Sequence, residues 1–111
     1  MIHQLRIYEI FEETKAVFYA RFRDHAARIM RRHGFRILGI WEARAERRTE
    51  FVYLLEWPDE PTKRDAWAAF MEDSEWADIK RATAVAGAPL VGEIEDRLLA
   101  PTAYSPVLTR T

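Results

Sequence analysis

Apolar and polar positions alternate along four stretches of the chain: IHQLRIYEIF (2–11), FRILGIWEA (35–43), EFVYLLEW (50–57) and LVGEIEDRLLA (90–100). A period of two, rich in β-branched and aromatic residues, predicts four strands. Between the first two, the period changes. Phe18, Phe22, Ala26 and Ile29 recur every three or four residues from Lys15 to His33, which predicts an amphipathic helix with one buried stripe. Glu12 and Glu13 precede it, and Gly34 follows a basic last turn (Arg31, Arg32, His33) as a left-handed stop. The polar stretch from Arg44 to Thr49 predicts a hairpin connection between the second and third strands.

Pro58 blocks continuation of the third strand. Asp59 or Thr62 can then cap a second helix with Pro61 in its first turn, and Ala66, Trp67, Phe70 and Met71 form its apolar face. Asp73 and Ser74 interrupt the pattern, a further helical segment restarts at Glu75 with Trp76 and Ile79, and Gly87, Ala88 and Pro89 end it. From Pro101 the chain reads as an irregular tail. The order is β-α-β-β-α-β, with the second helix broken. Two right-handed crossovers fold that order into an α+β, ferredoxin-like four-stranded antiparallel sheet with the helices on one face. The whole span 1–111 is one domain.

Same-face residues on a strand lie two apart. The aliphatic set Leu5, Ile7, Leu38, Ile40, Val52, Leu54, Ile94 and Leu98 is therefore expected against the helices. The other face then carries Gln4, Arg6, Tyr8 and Ile10, with Ile37, Gly39 and Trp41, then Phe51, Tyr53, Leu55 and Trp57, and finally Val91, Glu93, Glu95, Arg97 and Leu99. Such a face is too aromatic to be left in water and too charged for a plain core. A second copy of the chain, pairing sheet to sheet, reconciles the two. The expected partner is thus the chain itself, as a homodimer through the sheet face.

Composition narrows the function classes. Seventeen Lys and Arg against eighteen Asp and Glu give a net charge of −1, so no overall field favours a nucleic acid. The one dense basic run (Arg28, Arg31, Arg32, His33) falls in the last turns of the first helix, where cations complement the helix dipole. There is no cysteine, which excludes disulfides, thiolate catalysis and Cys-ligated zinc. No apolar run approaches the ~20 residues of a membrane helix, and the start reads as a strand rather than a signal peptide. A cytoplasmic protein with no nucleic-acid or membrane partner is expected.

His25 and His33 lie eight positions apart on the predicted helix, not at the i, i+4 spacing of a helical metal site. No metal and no cofactor is expected. Glu93 and Glu95 project from one strand face about 7 Å apart beside Arg97, either as an acid/base pair or as an ion-pair ladder with Arg6 and Arg97. Arg6, Tyr8, Trp41, Tyr53 and Trp57 form the constellation most like a site. Aromatic walls with few polar groups suit a small molecule, and an arginine among them can hold a carboxylate or phenolate. The same aromatics could equally be a dimer core without ligand. A nucleophile elbow, a phosphate loop and a dinucleotide fingerprint are all absent from the sequence.

QLRIYEI, HGFRILGIWEA, EFVYLLEW with Arg64 and DSEWADIK, and EIEDRLLAPTAYSP, taken in order, resemble the NIPSNAP family of the dimeric α/β-barrel superfamily. A glycine usual in the family's hairpin is replaced here by Glu46-Arg47-Arg48. The resemblance implies a barrel-forming dimer and no settled activity; the superfamily also contains cofactor-free monooxygenases. The expected function is a homodimer that binds a small apolar or aromatic molecule in its sheet-lined interior through Arg6, Tyr8, Trp41, Tyr53, Trp57, Glu93, Glu95 and Arg97. If it is an enzyme, a cofactor-free, monooxygenase-like transformation is expected, with Arg6 stabilising negative charge and Glu93 or Glu95 relaying protons. The alternative is a non-catalytic dimeric interaction module acting through its outer helices or a tail carrying Tyr104, Pro106, Val107 and Leu108.

Overall fold

The computed structural model describes residues 1–107, so the tail's Leu108 lies outside the described residues. β1 (Ile2–Ile10), β2 (Arg36–Arg44), β3 (Thr49–Trp57) and β4 (Val91–Leu99) form one antiparallel sheet in the order β2-β3-β1-β4. That is the α+β ferredoxin-like arrangement. The first crossover is α1 (Lys15–Arg21), a π-helical segment (Phe22–Ala26) and α2 (Ala27–Arg32); the second is α3 (Glu60–Met71) and α4 (Ser74–Ala82). Gly34 ends α2 at φ 90°, a conformation that favours residues without a Cβ. Asp59 caps α3 by accepting from the Thr62 N–H at 2.8 Å. The break between α3 and α4 is itself a cap, with Asp73 accepting from the Trp76 N–H at 3.0 Å. The helical stripe Phe18, Phe22, Ala26 and Ile29 is buried as its spacing predicts, whereas Met71 points outward.

On β1 and β3 the two faces of the sheet are the reverse of the expectation, whereas Ile40, Ile94 and Leu98 lie on the helix side as expected. Phe51, Tyr53, Leu55 and Trp57 of β3, with Gln4, Ile10 and Ile37, lie buried under the helices. Leu5, Ile7, Val52 and Leu54 occupy the opposite, uncovered face. The reason lies in what the helices offer. Their inner residues are Phe18, Phe22, Trp67, Phe70 and Trp76, with Phe35 at the entry to β2, and aromatic rings pack best edge-on against other rings. Phe51 meets Phe22 at 4.7 Å and Phe18 at 4.9 Å between centroids, and Phe35 meets Trp57 at 4.9 Å and Trp67 at 4.8 Å. An aromatic layer against an aromatic layer is the better match.

Two irregularities also break the single-face reading. The β2–β3 register shifts between Ile37 and Gly39, so Trp41 lies opposite Val52 on the uncovered face, while Ile40 lies opposite Tyr53. The β1–β4 register shifts between Tyr8 and Ile10. Ile94 therefore lies opposite Tyr8, on the helix side, and Glu95 and Arg97 lie opposite Ile7 and Leu5, on the uncovered side. Each shift inverts which side chains face inward. Ile40, Ile94 and Leu98, expected in the core, sit on edge strands and are 44, 48 and 46% exposed.

Candidate functional site

Between the helix-facing side of β1 and the second crossover lies a cavity of about 220 Å³, walled by Arg6, Tyr8, Phe22, Met30, Trp67 and Trp76. The alternation of β1 aims Arg6 and Tyr8 to the same side, and the 3.6-residue repeat of α3 brings Trp67 over them. The Arg6 guanidinium lies over the Trp67 ring at 4.5 Å and over the Tyr8 ring at 5.2 Å. It donates to Asp96 Oδ2 at 3.0 Å and to the Tyr8 hydroxyl at 3.1 Å. Its Nε is buried without a hydrogen-bond partner. Burial opposes the Arg6 charge, but the Tyr8 and Tyr53 phenols more than offset it and hold the proton more firmly than usual.

Tyr8 and Tyr53 share a hydrogen bond of 2.6 Å between their hydroxyls. Burial pushes the Tyr53 phenol well above its ordinary value, so Tyr53 keeps its proton at any physiological pH. The Tyr8 oxygen accepts from Arg6 and shares the hydroxyl–hydroxyl bond with Tyr53, in which either oxygen can be the donor. Behind them, Gln4 is 1% exposed and fully employed. Its amide oxygen accepts from the Trp57 indole at 3.0 Å and the Trp67 indole at 2.8 Å, and its nitrogen donates to both Asp96 oxygens at 3.0 Å. Gln4 thereby fixes the Trp67 ring above Arg6 and Asp96 beside it. Arg21 and Lys80 also border the cavity, within 6.0 and 5.7 Å of the Trp76 ring centre. Arg6, Arg21 and Lys80 are its charged lining residues among the described residues, with the Asp96 carboxylate paired to Arg6 beside it.

Arg6, Tyr8 and Tyr53 are thus brought together as the sequence suggests, with Trp57 behind them against Gln4. Trp41, Glu93, Glu95 and Arg97 are not. Trp41 is 53% exposed, with its ring folded against Gly39. Glu93 and Glu95 accept from Arg48 at 2.9 and 3.0 Å, and Arg97 donates to Glu95 at 2.8 Å. The two carboxylates form an ion-pair ladder outside the Arg6 cavity, and a proton-relay role for them there has no geometric support. Sequence reasoning missed Gln4, Trp67, Asp96, Arg21, Trp76 and Lys80 as site residues. Among the described residues no group of three or more His, Asp or Glu is placed to hold a metal ion, and no helix is long and apolar enough to cross a membrane.

The NIPSNAP family profile matches residues 3–106, and the chain belongs to that family. A NIPSNAP-like domain protein from Burkholderia xenovorans is 22% identical, with 97% of this chain and 90% of that one covered at a TM-score of 0.79. A NIPSNAP family protein from Agrobacterium tumefaciens is 19% identical, covering 96% and 97% at 0.81. The same fold is shared, more distantly, by a monooxygenase of Streptomyces coelicolor in complex with nanaomycin D. It is 16% identical, covering 96% and 92% at 0.58. No curated protein matches the chain.

Proposed function

We propose that this protein binds a small planar anion, a single-ring phenolate, enolate or carboxylate, in the Arg6 cavity. The observation that carries the reading is the buried Arg6 Nε with no acceptor, since a buried donor left unpaired costs about 1–3 kcal/mol. A ligand oxygen beside Nε would supply the missing partner. Trp67, Trp76 and Phe22 would take the apolar body, and Arg21 and Lys80 add to the attraction for an anion. The volume of about 220 Å³ falls below the ~300–1,000 Å³ of sites for drug-sized molecules, which favours one ring over several. Calorimetric titration with 4-hydroxybenzoate and with benzyl alcohol tests this. We expect saturable binding with about a tenfold preference for the anion, which a charge-assisted hydrogen bond supplies. An Arg6→Met variant that kept the preference, or a parent protein that bound neither compound, would overturn it.

A second reading, a cofactor-free transformation of the bound molecule, rests on the Arg6–Tyr8 pair. Arg6 would hold the ionised oxygen while the Tyr8 hydroxyl, hydrogen-bonded to Tyr53, hands over one proton. The fold likeness to a monooxygenase is compatible with an electron-rich phenolate meeting dioxygen there. Oxygen consumption on addition of a bound phenol supports this reading, and none with any bound phenol removes it.

The homodimer is proposed through the uncovered sheet face. Leu5, Ile7 and Val52 form its apolar centre. Arg48, Glu93, Glu95 and Arg97 give it a rim of both signs, as a self-complementary two-fold contact requires. Sedimentation of the purified chain as a monomer at all concentrations would remove it.

A further inference from the structure

A second cavity, of about 450 Å³, lies on the uncovered side of the sheet beneath the C-terminal segment, walled by Leu54, Leu99, Pro101, Pro106 and Val107. Its polar lining is His3, Glu56 and Ser105, and the Ser105 hydroxyl already donates to the Pro106 carbonyl at 3.2 Å. His3 of β1 lies directly opposite Glu56 of β3, which lies opposite Arg36 of β2. The three form a polar row across the sheet. Glu56 is 8% exposed and both its oxygens are engaged. Oε2 lies 3.2 Å from His3 Nε2, and Oε1 lies 3.1 Å from an Arg36 nitrogen.

This row fixes what the histidine can offer. A carboxylate facing an arginine accepts hydrogen bonds and donates none, so in neutral His3 the hydrogen belongs on Nε2. The lone pair then resides on Nδ1, which has no hydrogen bond among the described residues. An oriented acceptor in an apolar pocket calls for a donor on an apolar body. We propose that the His3–Glu56 pair forms a second binding site, for a small uncharged molecule that carries one hydroxyl or N–H on an aliphatic or aromatic frame. A free anion is disfavoured because Glu56 is at the floor. The pocket's volume lies within the range of ordinary small-molecule sites. The site is independent of the Arg6 cavity, which opens on the other side of the sheet.

Nitrogen-15 NMR of the histidine side chains in the full chain, during titration with cyclohexanol and with cyclohexyl methyl ether, tests the proposal. The free protein should show His3 as the Nε2–H tautomer. Cyclohexanol should shift its Nδ1 resonance saturably, and the ether, lacking a donor, should bind about tenfold more weakly. His3→Phe, which keeps a ring of similar size, should remove the alcohol's advantage, and Arg6→Met should leave it intact. The Nδ1–H tautomer in the parent, equal binding of alcohol and ether, or no saturable shift at His3 would each overturn the assignment. The tautomer measurement stands even if His3→Phe fails to fold.

Discussion

The amide oxygen of Gln4 accepts from two tryptophan indoles at once, Trp57 at 3.0 Å and Trp67 at 2.8 Å. One residue of the first strand therefore joins the floor of the core to the roof of the Arg6 cavity. Replacing it by leucine would leave two indole N–H groups and one side of Asp96 without partners. Each unsatisfied buried donor costs about 1–3 kcal/mol, so Gln4→Leu should destabilise by about 2–4 kcal/mol. A thermal melt should show a midpoint lower by roughly 10 °C or more for a domain of this size. A loss below 1 kcal/mol would mean that the two rings find water or other acceptors.

Trp67 contributes to the site through its ring face, 4.5 Å from the Arg6 guanidinium. Trp67→Phe keeps an aromatic face but loses the indole bond to Gln4, whereas Trp67→Leu loses both. If the stacked cation matters, the leucine variant should weaken anion binding well beyond the phenylalanine variant, by about 0.5–2 kcal/mol. Equal losses in titrations of the two variants would assign the tryptophan's role to its hydrogen bond alone.

The α2–α4 contact carries a pH dependence with a definite sign. The Glu75 carboxyl is held down to about 2 by hydrogen bonds to Arg28 and Arg32, from an ordinary 4.5. A carboxyl with a depressed folded-state value contributes stability that is fully present above its unfolded value and is lost as pH falls through the folded one. The loss should therefore occur between about pH 4.5 and pH 2. Thermal midpoints across that interval should fall more steeply for the parent than for Glu75→Gln, and high salt should reduce the difference because the network is exposed. Parallel curves for the two proteins would show that the network contributes nothing measurable.

How much of this was legible in the sequence depends on which interaction decides each feature. Element order, the Gly34 stop, the Asp59 cap and the Phe18–Phe22–Ala26–Ile29 stripe are local, so periodicity and capping rules find them. The choice of inner face is not local. Both faces of β3 are apolar, and only the aromatic inventory of the helices decides that Phe51, Tyr53 and Trp57 go inward while Val52 and Leu54 go outward. The register shifts at Ile37/Gly39 and Tyr8/Ile10 depend on pairings between strands distant in sequence. They separate Trp41, Glu93, Glu95 and Arg97 from Arg6, Tyr8 and Tyr53, residues that simple alternation puts together. Asp96 was invisible for the same reason: nothing near it in sequence says that it lies opposite Arg6.

Adjacent residues of β3 make the inversion directly testable. Val52 lies on the uncovered face and Tyr53 is buried beneath the helices. A charge at Val52 should cost the isolated fold little, because that face is open in one chain, yet it should oppose a sheet-to-sheet dimer by bringing like charges together across the two-fold axis. Tyr53→Phe removes the hydroxyl bonded to Tyr8 and leaves the dimer face untouched. Sedimentation and melting of the two variants should therefore diverge: Val52→Glu sediments as a folded monomer, and Tyr53→Phe sediments like the parent. If Val52→Glu stays as large as the parent, the uncovered face is not where two copies meet.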